Sequence, residues 1–207
     1  LVETILNRYS KDDVHLTTYL KMIDQNIYSD SASILLEEVD DPHVISTCIQ
    51  VLINREDEKL VQIVYSMLKE GRLAVDDAAD LLMKNAEKQS WAMGEISSLP
   101  QNSISDNLLA TMLPTYLDGD IEINEDWLFE ALMRIVKIEK SPGLLINWFE
   151  ILLTVDYPGA WLELLRQEKQ EHIDVQDFYD LLKINPGKAM TILQRDNDPG
   201  RYTEIIH

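Results

Sequence analysis

Two Asp-Asp-x-His tetrads, Asp12-Asp13-Val14-His15 and Asp40-Asp41-Pro42-His43, are the residues of this chain with the most evident capacity for chemistry. Carboxylates and imidazoles ligate metals and act as general acids and bases, and equivalent positions at the starts of adjacent helical hairpins would set the two tetrads near one another. Helix chemistry explains the same residues more simply. One aspartate at an N-cap accepts backbone N–H bonds and its neighbour complements the helix dipole, which leaves His15 and His43 as surface or boundary residues.

Other constellations fall short on detail. Asp118 to Asp126 is the most acidic loop, yet an EF-hand wants glycine where Ile123 stands and glutamate where Phe129 stands. There Gly119 is expected to close one helix and Asn124 to cap the next, with Glu125 and Asp126 complementing its first turn. Glu168, Glu171, His172 and Asp174 cluster at a helix end without the HExxH spacing that puts two histidines on one face, and read as a solvated loop. Asn185-Pro186-Gly187-Lys188 is not a P-loop, and the GxSxG and GxGxxG frames are missing. No catalytic residue, metal ligand or cofactor is expected.

The bulk properties narrow the field further. The 207 residues carry a net charge of −19, with 45% hydrophobic and 27% charged residues, a globular composition. Nine basic and 18 acidic residues lie up to Ile104, against nine and 19 after it. Such an evenly acidic body repels phosphate, which argues against nucleic acid and anionic membranes as partners. The single Cys48 sits in an apolar run and reads as a small buried hydrophobe in a reducing compartment. No run is long enough for a membrane span, no signal peptide opens the sequence, and no Asn-x-Ser/Thr site occurs, so a cytoplasmic location is expected. The sequence opens at Leu1 with Val2, Ile5 and Leu6 already in helical spacing and closes on Ile205-Ile206-His207, the look of a segment cut from a longer protein.

The elements that must position these residues are helices. Leu60, Val61, Ile63, Val64, Met67 and Leu68 form one helical face; Trp127, Leu128, Ala131, Leu132, Ile135 and Val136 form another. The best strand candidate, Val44 to Ile53, follows Asp41-Pro42, an N-cap with proline at the first helical position, and reads as helix. Helix starts are predicted near Asp12, Asp30, Asp41, Asp57, Asp76, Ser105, Asn124, Pro142, Pro158, Asp174, Pro186 and Pro199. Each Pro-Gly in the later third (142–143, 158–159, 186–187, 199–200) is expected to open the helix that follows it. Short polar connections make successive helices antiparallel hairpins.

From Leu35 to Gly71 the chain reads LLEEVDDPHVISTCIQVLINREDEKLVQIVYSMLKEG. This stretch resembles a HEAT repeat, with Asp41-Pro42 before the first helix, Val44, Thr47/Cys48 and Leu52 at inward positions, and Leu60, Ile63, Val64 and Leu68 on the second helix. The resemblance implies a curved solenoid presenting a surface to a partner.

The expected architecture is all-α, a single repeat domain over 1–207 with about 12–14 helices in stacked antiparallel hairpins. It has a HEAT-like part at 1–117, an acidic loop at 118–125 and a less regular part at 126–207. The expected role is a non-catalytic protein-interaction scaffold or adaptor for a basic or amphipathic segment. Its binding surface is placed at Glu56, Asp57, Glu58, Asp76, Asp77 and Asp80. An acidic inhibitor, an immunity protein or nucleic-acid mimic occupying a basic enzyme site, is the alternative. An active site completed by flanking domains comes third. Trp148 and Trp161 belong either to the core or to a partner groove, since Trp anchors interfaces.

Overall fold

Asp41 starts its helix as its place before proline predicts: its Oδ1 accepts from the backbone N–H groups of His43 (2.9 Å) and Val44 (3.0 Å), and Pro42 takes the first helical position. The run Val44–Ile53 is therefore helical. This computed structural model describes residues 29–38, 40–118 and 126–195. The tetrad at Asp12–His15, the acidic-loop residues 119–125 and Pro199-Gly200 lie outside them.

Among the described residues the secondary structure is all-helical, with eleven α-helices and no strand. They are α1 (Ser29–Glu38), α2 (Pro42–Asn54), α3 (Lys59–Glu70), α4 (Val75–Met83), α5 (Gln89–Ser97), α6 (Ser103–Leu117), α7 (Asp126–Ile135), α8 (Pro142–Thr154), α9 (Ala160–Lys169), α10 (Val175–Leu182) and α11 (Pro186–Arg195), with a 3₁₀ turn at Ala86–Lys88. Asp174 caps α10 through the Asp177 N–H, and Pro142 and Pro186 open α8 and α11, as expected. Pro158 does not open α9. That helix begins at Ala160, and the preceding Gly159 sits at φ 86°, left-handed backbone that disfavours any side chain. The start expected near Asp57 comes at Lys59, and Asp57 Oδ1 accepts the Lys59 N–H in the turn that leads into the helix.

The chain divides into two compact units, Leu1–Glu122 and Ile123–His207. In the first, α1 packs on α2 and α3, α2 on α4, and α3, α4 and α5 all on α6. Helices α2 and α4 run parallel, since Gln50 Nε2 donates to the Leu81 carbonyl (2.7 Å) and Asn85 Nδ2 to Asn54 Oδ1 (2.8 Å), each across 31 residues. The α2–α3 hairpin buries Val44, Cys48, Leu52, Leu60 and Val64, while Leu68 is only half-buried. In the second unit α8 packs on α7, α9 and α10, and α9 on α11. Its core holds Trp148, Phe149, Leu152, Leu164 and Phe178.

The two units repeat one another at a spacing of 100 residues. Helices α2, α3 and α4 begin at 42, 59 and 75; α8, α9 and α10 begin at 142, 160 and 175. Glu56 and Asp156 both sit in left-handed backbone, φ 53° and 51°, as do Gly71 and Glu171, φ 70° and 62°. The turns bond alike: the Asp57 N–H donates to the Leu52 carbonyl as the Tyr157 N–H does to Leu152, and the Arg72 N–H to Met67 as the His172 N–H does to Gln167. Even a long-range ion pair recurs, Lys88 to Glu56 at 2.6 Å and Lys188 to Asp156 at 2.7 Å.

Candidate functional site

In the first unit a cleft of about 380 Å³ lies between the first half of α2 and α4. Pro42, Ile45, Leu73, Ala74 and Leu81 supply an apolar lining, and Asp40, Arg72, Asp77 and Asp80 its charges. The arginine is already engaged: Nε reaches Asp40 Oδ1 at 2.7 Å, Nη1 reaches Glu70 Oε2 at 3.5 Å, and Nη2 donates to the Leu36 carbonyl at 2.9 Å. The bond to Asp40 foremost holds its proton more firmly than usual. Asp77 and Asp80, one turn apart on α4, are exposed and have no side-chain hydrogen bond or ion pair among the described residues. Two uncompensated carboxylates thus border an apolar cleft, an arrangement complementary to a segment with one apolar and one basic side.

The structure brings only part of the expected surface together. Asp76 is exposed beside Asp77 in the first turn of α4, where both complement the helix dipole. Glu56 lies near the other end of that helix, paired with Lys88. Asp57 is used by the turn, and Glu58 precedes α3 without a capping bond. Six residues of α4 follow Asp77, about 9 Å at 1.5 Å each, and set it apart from the Glu56–Glu58 group at the helix's far end.

A second cleft, of about 600 Å³, lies in the other unit between the α8–α9 turn, α9 and α11. Tyr157, Pro158, Trp161, Leu162 and Ile192 line it, with Asp156, Lys188 and Thr191. Trp161 Nε1 donates to Asp156 Oδ1 at 3.1 Å while Lys188 holds Oδ2. These bonds, Lys188 first and Trp161 second, keep the Asp156 carboxyl below the ordinary carboxylate range. Both tryptophans are buried, Trp148 to 1% and Trp161 to 5% exposure, and Trp161 also backs the cleft.

The remaining candidates take structural places. Cys48 is fully buried, and burial pushes its thiol up to about 12. His43 is exposed at the start of α2. The cluster at 168–174 is not a solvated loop throughout: Glu168 is 2% exposed, because it lies on the inward side of α9's last turn. His172 Nδ1 contacts Gln167 Oε1 at 2.6 Å, and Gln167 Nε2 donates to the Val136 carbonyl. That bond does for the end of α7 what Arg72 does for the end of α1. Among the described residues no group of three or more His, Cys, Asp or Glu is placed to hold a metal ion, and no helix is long and apolar enough to cross a membrane. Comparison with protein-family models, curated proteins and solved structures finds no match to this chain.

Proposed function

We propose that this chain is a non-catalytic protein-interaction module, a HEAT-like stack of helical hairpins that holds a basic or amphipathic segment of a partner protein in the α2–α4 cleft. The observation that carries this reading is the pair Asp77 and Asp80, uncompensated at the border of an apolar cleft in a chain of net charge −19. Parallel alternate helices and the 100-residue repeat support the stacked architecture, since repeat proteins present such grooves along one face. Acidic residues are equally dense in the two units, but basic ones are scarcer in the one that holds the cleft: nine in the 122 residues up to Glu122, against nine in the 85 after it. A partner's cations would be steered to this unit, and its apolar side chains would fill the space above Ile45 and Leu81.

Photo-cross-linking from position 46, whose serine lines the cleft, tests the proposal in cells. A cross-linked protein segment rich in Lys or Arg is expected. Cross-linking to nucleic acid, or to an acidic segment, would count against it.

A further inference from the structure

The repeat provides an internal control for deciding which surface residues the fold itself requires. At the α2–α3 turn of the first unit the chain reads Arg55, Asp57, Glu58 and Gln62; at the matching positions of the second it reads Val155, Tyr157, Pro158 and Leu162. The two turns share the left-handed residue, the three backbone bonds that close the turn and the acid–lysine pair. A backbone built with charged or polar residues at these positions does not need apolar ones. Yet Val155 is 46% exposed and Leu162 64% exposed, the most exposed large apolar residue among those described, and both cost free energy in water.

We propose that this face of the second unit is a self-association surface, and that its occupant is a second copy of the same face. Three observations favour a copy over a foreign segment. Leu162 projects from the lip of the 600 Å³ cleft it helps to line, so knob and hole share one surface, the condition for a self-complementary contact about a two-fold axis. The charges that line the cleft cancel internally, Asp156 against Lys188. Two copies of a chain of net charge −19 repel over most of their surfaces, and they approach at least cost where local charge is neutral. A basic segment, by contrast, finds among the described residues lining this cleft no unpaired carboxylate like Asp77 or Asp80. In the dimer each Leu162 enters the partner copy's cleft against Tyr157 and Ile192, with Val155 and Pro158 at the rim.

Sedimentation equilibrium on the full chain, from about 1 to 200 μM in 0.15 M salt, tests this. The unaltered protein is expected to populate a dimer, and Leu162→Glu to remain monomeric across the range with an unchanged circular dichroism spectrum and the melting temperature that the unaltered protein shows where it is monomeric. Leu162 is too exposed for its loss to unfold the unit. Gln62→Glu, the matching change in the first unit, is expected to leave the dimer intact. A monomeric unaltered protein at 200 μM would overturn the proposal, as would a dimer that survives both Leu162→Glu and Val155→Asp.

Discussion

Asp156 stands 100 residues after Glu56 in the same left-handed turn, and each is tied to a lysine 32 residues further on, Lys188 and Lys88. The pair joins the hairpin turn to the helix pair that follows it. In the second unit Trp161 also donates to the acid, so one carboxylate serves the turn, the cleft wall and the start of α11.

That geometry sets a pH dependence. The Asp156 carboxyl is held below its ordinary value of 3.8, so its contribution to folding is complete above that pH and is lost as pH falls through the depressed folded value. Asp156→Asn is expected to lower stability at pH 7 and to flatten the acid side of the stability profile below about pH 4. Urea midpoints from pH 2 to 7, followed by tryptophan fluorescence, check it; an unchanged acid slope would refute the assignment.

The second pair of left-handed residues differs in type. Gly71 takes φ 70° without strain, whereas Glu171 holds φ 62° with a side chain. Glu171→Gly is expected to stabilise the second unit by about 0.5–1 kcal/mol, as the glycine C-cap does in the first. Gly71→Ala is expected to cost about 1 kcal/mol through backbone strain alone, since no atom lies within 4 Å of the added Cβ. Denaturant titration reads both.

Trp148 lies deep in the core of the second unit. Trp148→Ala removes a large buried side chain and is expected to cost about 3–5 kcal/mol. By hydrogen exchange the loss of protection should fall on α8–α10, with α2–α4 keeping theirs, because the units are separately compact.

Cys48, fully buried with its thiol pushed up to about 12, should resist thiol reagents at pH 8 in the folded protein and react within minutes in 6 M guanidinium. Fast labelling of the native chain would place Cys48 on a surface.

Local signals carried most of what the sequence reveals. Asp41-Pro42, Asp174, Pro142 and Pro186 mark helix starts through groups only a few residues away, so their chemistry reads directly. Helix α5 went unpredicted because its apolar residues, Trp91, Ala92, Met93 and Ile96, do not trace a single face. The 100-residue repeat was hidden for a different reason: it preserves burial and turn geometry, not side-chain size. Cys48 corresponds to Trp148, and Ala78 to Phe178, all buried. The signal that would have exposed it is the recurrence of Lys69, Asp77, Asp80, Asn85 and Lys88 as Lys169, Asp177, Asp180, Asn185 and Lys188. Of the six acidic positions expected to bind a partner, only Asp77 and Asp80 share a cleft. Sequence spacing does not show at which end of α4 a side chain stands, nor that Lys88 neutralises Glu56.

We propose that Asp77 and Asp80 hold a partner's cations over an apolar cleft. The most direct test is the affinity of the cross-linked partner segment, made as a peptide, for the unaltered chain and for Asp77→Lys/Asp80→Lys, titrated by fluorescence anisotropy from 0.05 to 0.5 M salt. A loss of about tenfold or more at 0.05 M is expected, shrinking as salt screens the contact, with the fold retained because both residues are exposed and the cation in the first turn of α4 costs only about 0.3–1 kcal/mol. Equal affinities and equal salt slopes for the two proteins would contradict it.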